Sequence, residues 1–221
     1  MRYQWHFQVI LDNLPVLIAG IQLTVAVSAL SMAIAIVAGM AVALARLSSH
    51  RALRWAAYAY TEFFRDTPLL MQVIWVFYAL PLLTGINLSR FAAGTLAVSS
   101  NLTAFLAEIY RAGITSVSRG QEEAALAIGM RRSQVYRRII LPQAVTRVIP
   151  PLGSMWVSLF KDTSILSVIA VAELMYKARL VAVDTFRPLE IYTAVAVIYY
   201  LLAYPQSLGV NYLYGRFRVR E

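Results

Sequence analysis

The sequence predicts an all-α membrane protein with five membrane-spanning helices. Of its 221 residues, 60% are hydrophobic and only 14% are charged, a composition typical of chains that lie in a bilayer. The chain also contains apolar runs that reach the roughly 20 residues a spanning helix needs. Its basic residues, finally, are concentrated in alternate connecting segments, as in multi-pass membrane proteins.

Five apolar segments account for the predicted helices. They comprise residues 14–45, 67–89, 91–107, 148–172 and 191–215. The third becomes long enough if its helix continues past Glu108, and the fourth is interrupted by Lys161 and Asp162. Because no linker separates the segments, we expect residues 1–221 to form a single transmembrane domain.

The basic residues predict the orientation of the bundle. Thirteen of the twenty lie in segments that would share one side: Arg46, Arg51, Arg54, Arg65, the six arginines from Arg119 to Arg147, and Arg216, Arg218 and Arg220. The positive-inside rule then places the N-terminus outside and the C-terminus in the cytoplasm. Topology and lipid headgroups, rather than nucleic acid, explain most of the net charge of +9.

A polar segment, residues 118–142, stands out in the otherwise apolar chain. Ser118 and Gln121 have the spacing of a capping box, which predicts the start of a helix. Glu122 and Glu123 follow in the first turn, where the helix dipole favours negative charge. Gly129 suits the left-handed residue that ends such a helix. We therefore expect a short, capped helix on the cytoplasmic side.

A second short helix and a docking surface are predicted in the same segment. Ser133 is placed to cap the second helix, and Pro142 disfavours helical geometry at Leu141. Three small residues of the first helix would let another protein approach closely: Ala124, Ala125 and Ala127. We interpret residues 118–142 as a surface for a partner protein.

A turn after an aromatic, weakly amphipathic stretch, residues 52–64, is a candidate ligand contact. Pro68 suits the first position of a helix, and the free N–H groups of a helix N-terminus attract carboxylates. Arg65, Asp66 and Thr67 would lie at that end. Simple helix capping by Asp66 or Thr67 is the alternative interpretation.

Four consecutive polar residues interrupt the fourth apolar segment: Lys161, Asp162, Thr163 and Ser164. Ionisable residues at membrane depth are costly and mark a ligand path or a paired site. A broken helix is tolerated there where it lines a polar cavity. The alternative is a mutual Lys161–Asp162 ion pair that holds a kink. Glu108 and Arg111, three residues apart on a helix, predict a separate ion pair.

Motifs of catalysis are missing from the sequence. It contains no G-x-x-x-x-G-K-[ST] phosphate loop and no G-x-S-x-G or H-E-x-x-H motif, so it would not use ATP by itself. It has no cysteine, and its two histidines, His6 and His50, are predicted on opposite sides of the membrane. We expect neither an enzyme nor a metal site.

The polar segment resembles the signature of a known family. Its residues Glu123-Ala124-Ala125, Gly129, Ile139 and Leu141-Pro142 match, at the right spacing, the Glu-Ala-Ala motif of membrane subunits of ABC importers for polar amino acids. Three further segments are similar to the same family: residues 64–70, 108–114 and 161–164. Together the resemblance covers residues 46–214.

This resemblance implies a permease of the type I ABC importer kind in the bacterial inner membrane. Such a permease pairs with an identical or related permease. Two ATP-binding subunits, which hold ATP and Mg²⁺, dock on the short helix after Gln121, and a binding protein delivers the amino acid outside. The expected coupling residues are Gln121, Glu122, Glu123, Ala124, Ala125, Gly129, Ile139, Leu141 and Pro142. The expected substrate path comprises Arg65, Asp66, Thr67, Lys161, Asp162, Thr163 and Ser164.

Departures from the family pattern bear on the substrate. Ser154-Met155 stands where many relatives, notably those for cationic amino acids, carry Asn-Glu, and Asp66 replaces a common glycine. The overall pattern is most similar to glutamate/aspartate permeases. The alternative function is an ATPase-independent secondary transporter or channel for a small polar solute. A membrane-bound lipid enzyme would lack a nucleophile–base or metal constellation here.

Overall fold

The computed structural model describes residues 3–217. Within that range the chain is helical and contains no strand. Of Arg216 and Phe217 only the backbone is described. Arg218 and Arg220, which belong to the predicted basic tail, lie outside the described residues. Within them, the all-α prediction is confirmed.

The first long helix, α2 (Leu14–Arg46), follows a short α1 (Gln8–Asp12) and has 33 residues, which makes it about 50 Å long. Small residues form its contact face, and both Ala35 and Gly39 are buried. A Cβ atom added at Gly39 would lie 2.9 Å from Leu106 Cβ. Glycine at this position therefore lets two helices approach closely.

A sharp bend separates the next helices. It lies between α3 (Arg51–Asp66) and a helical segment that runs as α4 (Leu69–Ile74), a π-type turn (Trp75–Ala79) and α5 (Leu80–Thr84), and it measures 106°. The aromatic stretch 52–64 lies within α3, and the predicted turn after it is confirmed. Pro68 is not the first helical residue, because its backbone is extended (ψ 133°) as part of the bend.

The sixth helix, α6 (Arg90–Thr115), lies in the centre of the bundle. The Ser89 hydroxyl oxygen caps it by accepting a hydrogen bond from the backbone N–H of Ala92 at 3.2 Å. Thirteen of its 26 residues are buried. Because so many side chains face other helices rather than lipid, this helix accommodates polar residues such as Asn101 and Glu108.

Three short elements connect α6 to the next long helix. They are α7 (Arg119–Ala127), α8 (Arg132–Val135) and a second π-type turn (Tyr136–Ile140). The long helix α9 (Leu141–Asp162) continues directly from this turn and passes into a 3₁₀ segment, Thr163–Ile169. Residues 118–142 thus form a helix–turn–helix arm, as predicted.

The expectation that Pro142 would end helical geometry at Leu141 is wrong. Leu141 is helical (φ −59°, ψ −45°), and its backbone N–H bonds the carbonyl of Tyr136, five residues back. Proline has no N–H and would disrupt the regular ladder. The π-type turn shifts that ladder by one residue just before the proline, and a similar turn precedes Pro81.

The last two helices are α10 (Leu174–Thr185) and α11 (Pro188–Phe217). Helix α10 lies between the fourth and fifth predicted spans, where charged residues interrupt any apolar run. In the structure it packs against α2 and α11. Its N-terminus is capped by the fully buried Glu173, whose carboxylate accepts hydrogen bonds from the backbone N–H groups of Met175 (2.9 Å) and Tyr176 (2.8 Å).

Two helices of the described chain are long and apolar enough to cross a membrane by themselves, Leu14–Arg46 and Pro188–Gly215. The bent pair Arg51–Asp66 and Leu69–Thr84 counts as a third if it forms one span. The helices that cover the third and fourth predicted spans, α6 and α9, are present but more polar. The count of five spans therefore stays a prediction.

Candidate substrate path and partner-docking surface

The bend between α3 and α4 is held by a glutamine that sequence analysis missed. The buried amide of Gln72 donates hydrogen bonds to the Thr67 hydroxyl (2.7 Å) and to the backbone carbonyls of Phe64 (2.9 Å) and Thr67 (3.0 Å). Asn101 of α6 also donates to the Phe64 carbonyl, at 2.8 Å. The turn is thereby fixed to the central helix.

Thr67 does not cap the helix that follows it, and neither does Asp66. The Thr67 hydroxyl donates instead to the carbonyl of Phe63 at 2.7 Å, which closes the last turn of α3. Asp66 is exposed at the end of that helix. The capping alternative is therefore wrong for both residues.

Arg65 is held on the surface of the same helix. Its guanidinium lies 3.7 Å from a carboxylate oxygen of Glu62 and 5.8 Å from the ring centroid of Phe105. Inside the bend lies a cavity of about 380 Å³. Its walls are mainly aromatic and aliphatic, and Thr67 and Gln72 supply its polar groups.

The helix break predicted at residues 161–164 is confirmed as a change from α to 3₁₀ geometry at Thr163. The Thr163 hydroxyl is buried and donates to the Phe160 carbonyl at 2.8 Å. The Ser164 hydroxyl donates to the Lys161 carbonyl at 2.6 Å. These bonds satisfy backbone carbonyls where the regular ladder ends.

The alternative of a Lys161–Asp162 ion pair is wrong for this structure. Both residues are exposed, and among residues 3–217 no carboxylate lies within 4 Å of the Lys161 ammonium. Neighbouring residues on a helix point in different directions, which prevents close pairing. Lys161 thus presents a cation that no described carboxylate neutralises.

The two parts of the predicted path lie on adjacent elements. Helix α4, directly after the bend, packs against the 3₁₀ segment that begins at Thr163. Val73 of α4 belongs to the same buried cluster as Leu166 and Ile169 of that segment. The bend and the helix break, though almost 100 residues apart in sequence, are therefore structurally joined.

In the arm formed by residues 118–142, the predicted helix start and end are confirmed. Ser118 precedes α7, and Gly129 follows it with φ +84°, a left-handed conformation that favours glycine. The Ser118 side chain makes no capping hydrogen bond, so the expected capping box is absent. Gln121 instead accepts a hydrogen bond from the Gln143 side chain of α9 at 2.6 Å.

The predicted cap at Ser133 is also wrong, because helix α8 starts one residue before it. The backbone N–H of Arg131 bonds the Gln134 side chain at 2.8 Å. This is the backbone half of a capping box, and it replaces the serine cap.

The small-residue surface of α7 differs from the predicted one in one residue. Ala124 and Ala127 are exposed, but Ala125 is 4% exposed and packs in a small cluster with Val117, Val135 and Ile140. Ala125 therefore anchors the arm rather than offering a contact.

Most of the remaining signature residues lie on the surface. Gln121, Glu123, Gly129, Leu141 and Pro142 are exposed, and Glu122 is half-buried. Ile139 is partly buried against the small cluster. Ile128, which the sequence analysis did not select, is 80% exposed. An exposed aliphatic side chain beside two exposed alanines is a surface suited to a protein partner.

An ion-pair network joins the helices α2, α3 and α6. The predicted pair of Glu108 and Arg111 is confirmed. Glu108 also accepts from Arg46 at 2.6 Å, and Arg46 donates to the Thr61 hydroxyl at 3.1 Å. Within residues 3–217, no group of three or more histidine, aspartate or glutamate side chains is placed to hold a metal ion.

The architecture defines a class: a polytopic helical membrane protein with an exposed helical arm. A model of the family described as binding-protein-dependent transport system inner membrane component matches residues 35–219. The chain belongs to this family.

Two curated relatives are similar to this protein over almost the whole chain. The probable glutamine ABC transporter permease protein GlnM of Bacillus subtilis is 43% identical over 208 residues, which cover 94% of this chain and 96% of the relative. The glutamine transport system permease protein GlnP of Escherichia coli K12 is 34% identical over 220 residues, covering 99% and 100%.

Solved structures show the same fold. The crystal structure of an amino acid ABC transporter with histidines matches with a TM-score of 0.92 and 32% identity, covering 97% of this chain and all of the other. The MetNI methionine ABC transporter, at a TM-score of 0.72 and 16% identity, shares the fold alone. This chain is thus a permease subunit of an amino-acid ABC importer with the type I fold. It is not itself an enzyme, and partner ATPase subunits use the ATP.

Proposed function

We propose that this chain, paired with an identical or related permease, forms the path by which a polar amino acid crosses the bacterial inner membrane. Two ATP-binding subunits drive the pair, and an external binding protein delivers the substrate. The observation that carries this proposal is the exposed face of α7, with Ala124, Ala127 and Ile128, on an arm built into the bundle.

The coupling surface comprises the exposed signature residues and a supporting layer beneath them. Gln121, Glu122, Glu123, Ala124 and Gly129 would contact the ATP-binding subunit. Ala125 and Ile139 would act from below, because they pack in the cluster that fixes the arm. Leu141 and Pro142 stand at the start of α9. They would transmit a movement of the arm to the helix that carries Lys161.

The substrate path would run past the bend and the helix break. Lys161 supplies an exposed cation that can pair with the α-carboxylate of any amino acid, and Asp162 can pair with its amino group. Asp66 and Arg65 are exposed at the bend. Ser164 already donates to a backbone carbonyl, so its hydroxyl oxygen is left to accept from substrate. Thr67, which accepts from Gln72, and the buried Thr163 would instead support the path from behind.

Glutamate or aspartate is the substrate that the sequence pattern favours, and glutamine is the one named for the two relatives above. All three are polar, and glutamine and glutamate share one carbon skeleton. We propose a substrate of the glutamine and glutamate kind. Competition by unlabelled glutamine, glutamate, aspartate and arginine in one uptake assay would rank them. Preferential competition by arginine would contradict the proposal.

Five spans with the N-terminus outside and the C-terminus in the cytoplasm complete the proposal. The basic arm and the basic residues after α2 support this orientation. A reporter fused after Glu221 should be cytoplasmic, and one placed before Arg2 should be external. Both reporters on one side of the membrane would contradict an odd number of spans.

The rival function, a transporter or channel that needs no ATPase, predicts a different dependence on partners. Vesicles that contain this chain, its binding protein and its ATP-binding subunits should take up amino acid only with ATP on the side of the ATP-binding subunits. Vesicles with the permease alone should show none. Uptake by the permease alone, driven by an ion gradient, would overturn the proposal.

A further inference from the structure

A basic cleft lies at the end of α2, and none of its lining residues belongs to the two proposed functional surfaces. It has a volume of about 620 Å³ and lies between the end of α2, the first turns of α3 and the last turns of α6. Four arginines line it: Arg46, Arg51, Arg54 and Arg111. Helix α2 ends and α3 begins beside the cleft, so the cleft lies at the end of the first predicted span.

The charges in the cleft do not balance. Arg46 and Arg111 share the carboxylate of Glu108, and Glu62 reaches Arg46 only at 4.0 Å. Among residues 3–217 no carboxylate lies within 4 Å of Arg51 or Arg54. Two guanidinium groups at the rim are thus available to an anion from outside the chain.

Contacts within the chain fix the arginine side chains on the floor and at one side of the cleft. The Arg46 side chain is only 11% exposed, and its guanidinium stacks 5.3 Å above the ring of Tyr58. Arg54 donates to the Ser48 carbonyl at 3.0 Å, which fixes it across the turn between α2 and α3. The floor and one side of the cleft are therefore held in place by contacts within the chain.

The walls of the cleft carry apolar and aromatic groups characteristic of a membrane surface. Leu47, Trp55 and Tyr58 line it and are 40%, 59% and 43% exposed. Tryptophan and tyrosine favour the level of the lipid headgroups. Guanidinium groups favour phosphate oxygens, which they can bind with two parallel hydrogen bonds.

We propose that this cleft binds the phosphate of an anionic phospholipid headgroup. Arg51 and Arg54 would bind the phosphate oxygens, Arg46 would supply a fixed positive floor, and Trp55 would lie beside the glycerol and upper acyl chain. The chemistry of the phosphate is shared with soluble phosphate compounds, but the aromatic and leucine walls favour a ligand that carries an acyl chain.

The test uses the complete permease–ATPase complex, reconstituted in phosphatidylcholine with a minor share of phosphatidylglycerol. Mass spectrometry of the purified complex measures how much of each lipid is retained. The wild type should retain phosphatidylglycerol preferentially. The double variant Arg51→Gln/Arg54→Gln should lower that preference about fivefold for each arginine removed, since a basic residue at an anionic surface contributes about 1 kcal/mol.

Two matched variants control the measurement. Arg90→Gln removes one arginine at the opposite end of α6 and should leave the preference unchanged. Arg51→Lys/Arg54→Lys keeps both positive charges and should retain most of the preference for phosphatidylglycerol. Equal retention of both lipids by the wild type, or an unchanged preference in the glutamine double variant, would overturn the site.

A further measurement distinguishes a lipid phosphate from a soluble phosphate. Inorganic phosphate added in excess should not displace the retained phosphatidylglycerol, because it lacks the acyl chain that contacts the walls. Displacement by inorganic phosphate would overturn the assignment to a lipid and identify the ligand as a soluble phosphate.

Discussion

Arg46 Nη1 lies 2.6 Å from Glu108 Oε2, although the two residues are 62 positions apart in the sequence. The contact joins the last residue of α2 to α6, and Thr61 adds α3 through its hydroxyl group. The side chains are 11% and 26% exposed. This network fixes the three helices at the end of the bundle that bears the basic cleft.

We expect Arg46→Met to lower the free energy of unfolding by about 2 kcal/mol, since it leaves Glu108 with a single partner. Glu108→Gln should have a similar effect. The double variant should lose less than the sum, with a coupling energy of about 0.5–3 kcal/mol. Thermal unfolding of all four proteins in one detergent checks this, and strict additivity would show that the two residues do not interact.

The second prediction concerns the bend. Gln72→Met keeps the volume of the side chain but removes its amide donors, which should cost about 1–3 kcal/mol. The Phe64 carbonyl would keep its bond from Asn101, whereas Thr67 would lose both bonds from Gln72 and keep only the one to Phe63. Because the chain has no cysteine, spin labels at two introduced cysteines on α3 and α5 can report the bend. An unchanged label distance and unfolding midpoint would contradict the role given to Gln72.

Close helix packing supplies a third prediction. A Cβ atom at Gly20 would lie 2.8 Å from Leu174 Cα, a backbone atom that cannot rotate away, whereas one at Gly209 meets nothing within 4 Å. Gly20→Ala should therefore destabilise the protein by about 1–3 kcal/mol. Gly209→Ala is the matched control and should be neutral or slightly stabilising. Equal unfolding midpoints for the two variants would contradict this packing.

Residues close in sequence were predicted well, and contacts between distant segments were not. The Glu108–Arg111 pair follows from helix periodicity, and the left-handed Gly129 follows from its position just after a short predicted helix. The side-chain contacts Arg46–Glu108 and Gln121–Gln143 depend on which helices pack together. The spacing of residues in the sequence does not show this. Gln72 gave only the weak signal of one amide in an apolar run.

The errors in the predicted site have physical causes. Pro142 was predicted to disfavour helical geometry at Leu141. The π-type turn before it shifts the backbone hydrogen-bond ladder by one residue, so the helix continues although Pro142 has no N–H. Ala125 was grouped with Ala124 and Ala127 by size, but helical geometry turns it toward the small cluster under the arm. Helical geometry also separates Lys161 from Asp162, because adjacent side chains on a helix diverge.

The fourth prediction concerns Lys161. Because both Lys161 and Asp162 are exposed and do not pair, Lys161→Met should change stability by no more than about 0.5 kcal/mol. Transport should nevertheless fall sharply, while the affinity of the binding protein for its amino acid stays unchanged. Asp162→Asn should also impair transport. Wild-type uptake by well-expressed Lys161→Met would show that residues 161–164 are only a structural break.

The most direct test of the account is ATP hydrolysis by the partner subunits, measured in the reconstituted complex with the loaded binding protein. Ala127→Arg places a bulky charge on the exposed face of α7. It should abolish the stimulation of ATP hydrolysis by the loaded binding protein, while the permease folds and inserts normally. Arg90→Gln, far from the arm, should leave it intact. Full stimulation of hydrolysis in correctly inserted Ala127→Arg would contradict the claim that α7 couples this permease to its ATPase.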